Sequence, residues 1–150
     1  MNTNLKAFLD MIAVSEGTSG KGDDGYNVLV GGTLFNSYKD HPRVLVDLPK
    51  LGIKSTAAGR YQILKKNYDV LKARLNLSDF SPASQDAMAI ELIRGRGGLD
   101  YVIAGNFAKA VEACRLEWAS LPGAGYGQHE NKLEKLQEAY VNAGGKVVTV

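Results

Sequence analysis

The sequence predicts an α+β fold, mostly helical, with a small β-hairpin region after the first helix. Two observations carry this reading. Apolar residues recur at helical spacing in several separate segments, beginning with Leu5, Phe8, Leu9, Ile12 and Ala13. One stretch, "GYNVLVGGTLFNSY" from Gly25 to Tyr38, instead sets two short β-branched runs around Gly31-Gly32, a hairpin signal. No internal repeat, low-complexity tract or long linker divides the 150 residues, so one domain over 1–150 is expected.

Taken in order, the first helix is expected from Asn4, as N-cap, to Ser15 or Glu16, with Gly17 as a natural left-handed terminator. After the hairpin, "HPRVLVDLPKLGIKST" (41–56) contains Pro42 and Pro49 and reads as an irregular lip. Helical periodicity resumes at Tyr61, through Leu64, Tyr68, Leu71 and Leu75. Ser81-Pro82 is an N-cap followed by proline at N1, opening a helix to about Arg94. Asn106 caps a helix striped by Phe107, Ala110, Val111, Cys114 and Trp118. Beyond the glycine-rich "SLPGAGYGQ", a last helix carries Leu133, Leu136 and Tyr140 and ends at Gly144-Gly145.

Composition narrows the function classes. With 45% hydrophobic and 23% charged residues the chain is globular, and its net charge of +2 comes without a concentrated Lys/Arg stripe, so nucleic acid is not an expected partner. Cys114 is the lone cysteine and reads as a buried, inert thiol. His41 and His129 lack ligand spacing, so no metal and no cofactor is expected. No signal peptide and no membrane-spanning segment is recognisable, so synthesis and folding in the cytoplasm without membrane insertion are expected.

One residue breaks the pattern. Glu16 lies eleven positions after Leu5, which brings it within roughly 20° of that residue on a helix and onto the apolar stripe. Desolvation and the negative end of the helix dipole both disfavour a carboxylate there, raising its pKa toward the range of a general acid. The competing reading is a frayed helix end with Glu16 in water. Asp23 and Asp24 read as exposed loop residues, and Asp69, Asp86 and Glu91 as surface charges on helices. Arg94 and Arg96 read as solvated too.

Six segments in order decide the weight given to Glu16: "FLDMIAVSEGT", "GYNVLVGG", "DHPR", "STAAGRYQIL", "DFSPASQDAMA" and "WASLPGAGYGQ". Together they span most of the chain, which resembles the lambda-type phage endolysins. The resemblance implies a lysozyme-like fold and a lytic transglycosylase. Such an enzyme cuts the MurNAc-β-1,4-GlcNAc bond of peptidoglycan to leave 1,6-anhydro-MurNAc ends. The glutamate of "SEGT" is the family's catalytic acid, here Glu16.

The same resemblance turns other segments into expected substrate contacts. Tyr61 and Gln62 become part of a glycan groove floor, where "AAGRYQI" alone reads as a loop feeding a helix. Tyr26 and Asn27 of "GYN" join them, although family members tend to carry aspartate in place of Asn27. Ser55 and Thr56 add hydroxyls. Tyr126 and Gln128 would sit on a mobile lip that otherwise reads as a plain surface loop. The expected partners are peptidoglycan glycan strands and a holin, which would release a monomeric enzyme from the host cytoplasm to the wall. A hydrolytic muramidase of the same fold, using a second acid such as Asp23 or Asp24, and a non-catalytic wall-binding module are the alternatives.

Overall fold

Asn2 starts the first helix, α1 (Thr3–Glu16), by accepting the Leu5 N–H on its side chain at 3.1 Å in the computed structural model, which describes residues 1–148. The expected cap, Asn4, is inside the helix. Its side chain instead clamps two distant segments, donating to the Ile103 carbonyl and accepting the Lys146 N–H. Gly17 ends the helix in the left-handed conformation, φ 76°, and returns its N–H to the preceding turn.

Chain contacts divide the protein into two compact units, Met1–Gly17 with the chain from Ile90 onward, and Thr18–Ala89. In the first, α1 packs against α4 (Leu99–Ala104) and α6 (Leu133–Asn142), and α4 packs against α5 (Phe107–Cys114). Phe107 ties this core together, its ring 6.0 Å from Phe8 and 4.8 Å from Tyr140. Burying each such ring contributes about 2 kcal/mol. Asn106 caps α5 as expected, accepting the Lys109 N–H. Cys114 and Trp118 are buried, and burial pushes the Cys114 thiol up to about 12, which leaves it inert.

The second unit carries the β-structure, with its two strands beyond the short antiparallel turn that the glycine pair makes. Strands β1 (Val46–Leu48) and β2 (Ile53–Ser55) pair antiparallel, with Val46 opposite Ser55 and Leu48 opposite Ile53. They lie in the stretch read as an irregular lip. Pro49 is confined to the connecting turn, where Leu51 N–H reaches the Leu48 carbonyl. Around Gly31-Gly32 the chain makes only a tight turn, closed by the Val28–Leu34 bridge. The Val28 carbonyl accepts the Gly59 N–H and the Val30 N–H reaches the Ala57 carbonyl, far along the chain.

Helix α2 (Lys65–Arg74) begins four residues later than its periodicity suggests, because Tyr61 belongs to a turn closed by the Ala58–Ile63 bridge. Tyr68, Phe80 and buried His41 form the aromatic core here, with centroids 5.0 to 5.6 Å apart. Helix α3 (Pro82–Gly95) starts on Ser81, whose hydroxyl accepts the Ser84 N–H. Two acids on α3 are not the surface charges they resemble in sequence. Asp86 accepts two tyrosine hydroxyls, and Glu91 is buried against the Arg94 guanidinium at 2.5 Å. Asp69 is a surface charge, paired with Arg43.

Candidate active site

At the end of α1, Glu16 is half-buried while its neighbours Ile12 and Ala13 are closed to solvent. Burial is the main cause pushing its carboxyl up to about 7, and a hydrogen bond from Ser120 partly opposes it. The Ser120 hydroxyl donates to Glu16 Oε2. The helix therefore does not fray before Glu16, and the carboxyl is held in a polar contact at the edge of an apolar core.

Ser120 opens the segment that reaches α6, and it is positioned by Asn131, whose N–H meets the Ser120 carbonyl at 2.8 Å. The same segment carries Tyr126 and Gln128. Tyr126 is 54% exposed, and its hydroxyl anchors to the Leu116 carbonyl at 2.6 Å. Glu130 accepts the N–H groups of Gly123 and Gly125, which holds its carboxyl below the usual carboxylate range. The glycine-rich loop is thus tied at several points. Gln128 is partly exposed.

In the Thr18–Ala89 unit two of the expected site residues, Tyr26 and Tyr61, meet at half-buried Asp86 and buried Arg60. Tyr26 and Tyr61 both donate to Asp86 Oδ1, at 2.8 and 2.6 Å. Their rings meet edge to face with centroids 6.4 Å apart, and the Arg60 guanidinium stacks over both. Burial and the Asp86 carboxylate push both phenols above their ordinary range, so both stay protonated donors. Tyr61 is only 1% exposed. It supports half-buried Tyr26 from behind and presents no face of its own to solvent.

Gln62 adopts a left-handed backbone, φ 51°, which is uncommon for a side chain of its size. Its amide nitrogen donates to the Gly59 and Val28 carbonyls at 2.9 and 3.3 Å, so the turn itself consumes the donor end. Gly59 is required by the same turn. A Cβ there would come within 2.3 Å of Gln85 Oε1, and its φ is +81°. Asn27 accepts the Asp23 N–H at 2.9 Å, and Ser55 and Thr56 accept the backbone N–H groups of Ala57 and Lys65. An acceptor oxygen is what Asn27 and aspartate share, so the loop closure survives the departure from the family pattern.

Asp23 and Asp24 are exposed, as their loop composition implies. Asp23 accepts the Tyr38 hydroxyl, and Asp24 pairs with Arg60 and accepts the Gly20 N–H. Three residues escaped the sequence reading: Ser120, Ser15 and Asn131 around Glu16. Ser120 lies within "WASLPGAGYGQ", but nothing local marks its hydroxyl as the partner of an acid 104 residues away.

Comparison with known proteins bears on the family and the fold. The Endolysin family model matches residues 6–147. The endolysin of Escherichia phage lambda is 51% identical over 152 residues, covering 98% of this chain and 95% of the relative. The endolysin of Escherichia phage P2 is 49% identical, covering 95% and 93%. A solved structure of bacteriophage lambda lysozyme complexed with a chitohexasaccharide superposes with a TM-score of 0.95 at 48% identity, covering 99% of this chain and 98% of that one. A second lambda lysozyme structure gives 0.90 at 49%. A lysozyme-like architecture built from these residues, matched along nearly its whole length, makes the chain a member of the endolysin family.

Proposed function

We propose that this endolysin is a lytic transglycosylase that cleaves the MurNAc-β-1,4-GlcNAc bond of peptidoglycan with Glu16 as its one catalytic acid. The observation that carries the reading is the Glu16 carboxyl, raised to about 7 by burial at the end of α1. At neutral pH a large share of it is protonated and ready to donate.

In the first step Glu16 gives its proton to the glycosidic oxygen as the bond to C1 breaks. In the second, the carboxylate removes the proton of the muramyl C6 hydroxyl while O6 bonds to C1. The internal hydroxyl has a high effective concentration, so neither water nor a protein nucleophile needs activation. A hydrolase with two carboxylates would need a second acid free to act. Asp23 and Asp24 are committed to Tyr38, Arg60 and the turn at Gly20, which favours the single-acid route.

For the glycan we assign Tyr26, Asn27, Ser55, Thr56 and Gln62 as substrate contacts, with Tyr61 holding Tyr26 in place. Gln62 would act through its carbonyl oxygen, since its amide nitrogen serves the turn. Tyr126 offers an exposed ring to a sugar face, with Gln128 nearby in sequence. The chitohexasaccharide of the lambda lysozyme complex supports an oligosaccharide as the ligand class. Among the described residues no helix is long and apolar enough to cross a membrane. Membership of the endolysin family supports a monomer that reaches the wall with the help of a holin.

The test is mass spectrometry of muropeptides released from purified peptidoglycan. Muramyl ends one water lighter than the hydrolysed product support transglycosylation. Exclusively reducing muramyl ends would establish the hydrolytic muramidase instead.

A further inference from the structure

The surroundings of Glu16 hold polar groups that the two proton transfers do not use. Ser120 Oγ donates to Glu16 Oε2, and Ser15 Oγ lies 2.7 Å from Ser120 Oγ. Buried Asn131 Nδ2 lies 3.0 Å from the Ser15 carbonyl oxygen and 3.2 Å from Ser15 Oγ.

With Ser120 donating to Glu16 Oε2, the direction of the other links follows from donor and acceptor chemistry. A backbone carbonyl only accepts, so the amide atom facing Ser15 O is the nitrogen, and the same nitrogen donates to Ser15 Oγ. Lys135 Nζ, 3.5 Å from Asn131 Oδ1, fits that orientation. Ser120 has one hydroxyl hydrogen and gives it to Glu16. Ser15 must therefore be the donor to Ser120.

We propose that Asn131, Ser15 and Ser120 are positioning residues forming a one-way hydrogen-bond chain that keeps Glu16 Oε2 an acceptor and holds the transferable proton on Oε1. This rests on Glu16 being the catalytic acid. Oε1 then loses its proton to the glycosidic oxygen as the C1–O bond breaks. The same Oε1 takes the proton released as the C6 O–H bond breaks and the O6–C1 bond forms. Between the two steps the Ser120 hydroxyl stabilises the charge from the Oε2 side, and each link polarises the next.

The chain itself is uncharged. On α6 the cation facing it is Lys135, at the far side of Asn131, and in the loop Glu130 is turned to the Gly123 and Gly125 N–H groups. Burial and the Ser120 hydroxyl are what shift the Glu16 carboxyl, the hydroxyl in the downward direction. Removing that hydroxyl should therefore raise the midpoint further.

The experiment is a carboxyl carbon NMR titration of full-length, glutamate-labelled protein, with Glu16 assigned by its loss in Glu16→Gln, beside the pH profile of kcat/KM on peptidoglycan. Ser120→Ala is expected to move the Glu16 midpoint up by roughly one pH unit, the worth of one hydrogen bond to a charged group. The alkaline limb of the profile should move with it, and kcat should fall about tenfold by the same arithmetic. Ser120→Thr keeps the hydroxyl and should restore both. Ser15→Ala should move the midpoint the same way by less, and it decides the matter if Ser120→Ala does not fold.

An unmoved midpoint in folded Ser120→Ala, or in Ser15→Ala should that variant be the arbiter, overturns the chain. So does a folded Ser120→Thr that fails to restore the profile. Full turnover in Glu16→Gln would instead remove the catalytic reading beneath it, a result the NMR midpoints cannot imitate.

Discussion

Gly17 turns the chain out of α1 immediately after Glu16, with φ 76° and its N–H bonded to the Val14 carbonyl at 3.1 Å. This leaves the carboxyl at the helix end, beside Ser120, and not within a continuing helix. A Cβ at residue 17 would meet nothing within 4 Å, so the cost of Gly17→Ala is purely conformational. It should lower stability by about 1 kcal/mol in urea denaturation. Gly17→Asn, better tolerated in the left-handed region, should cost less. Equal stabilities for the three proteins would contradict this account.

Glu16 also links folding to pH. Its carboxyl titrates near 7 when folded against 4.5 as its ordinary value, so the folded state binds more protons across that window. Its contribution is complete below pH 4.5 and is lost as pH rises through 7. Glu16→Gln cannot ionise. It should be more stable than the parent by about 2 kcal/mol at pH 8, less than the full shift converts to because Glu16 is only half-buried, and similar to it at pH 4. Thermal melts at the two pH values measure the difference. A constant gap would show that Glu16 is not the titrating group.

What the sequence makes visible follows from how far a signal reaches. The helices α1, α5 and α6 announce themselves through apolar stripes and local caps, and the inward stripe makes Glu16 a candidate, which the ordered segments of the family resemblance then raise above the reading of a frayed helix end. The β-strands do not. The Gly31-Gly32 pair carries the stronger hairpin chemistry, yet it closes only the Val28–Leu34 bridge while Val28 and Val30 bond to Gly59 and Ala57, and the two strands flank Pro49. Helix α4 buries only Val102, too little to leave a stripe. Asp86 resembles any helix-surface acid because its partners Tyr61 and Tyr26 lie 25 and 60 residues away. Long-range partners decide these roles, and periodicity is blind to them.

Asp86 is the acceptor for both Tyr26 and Tyr61, and Tyr61 is closed to solvent. Asp86→Ala removes the shared acceptor of two hydroxyls, one of them deeply buried, and should destabilise the protein by about 2 kcal/mol. Asp86→Asn keeps one acceptor oxygen and should cost less. Peptidoglycan cleavage should fall in Asp86→Ala even at temperatures where it stays folded, since Tyr26 loses its anchor. Chemical denaturation and turnover measured on the same samples separate the two effects. Unchanged stability in Asp86→Ala would rule out the shared-acceptor role.

Glu130 fastens the Tyr126 loop by accepting the Gly125 and Gly123 N–H groups at 3.0 and 2.8 Å, bonds that hold its carboxyl below the usual range. A depressed folded pKa means the tether is intact above the ordinary glutamate value, 4.5 for Glu130, and is lost as pH falls through the folded pKa. Hydrogen exchange at the Gly123 and Gly125 amides, corrected for intrinsic rates, should therefore lose protection on acidification below that value. Glu130→Ala should show the unprotected rates at every pH. Glu130→Gln, which retains one acceptor oxygen, should keep partial protection that no longer depends on pH in this range. Protection in Glu130→Ala equal to the parent at neutral pH would mean that the backbone holds this loop without the carboxylate.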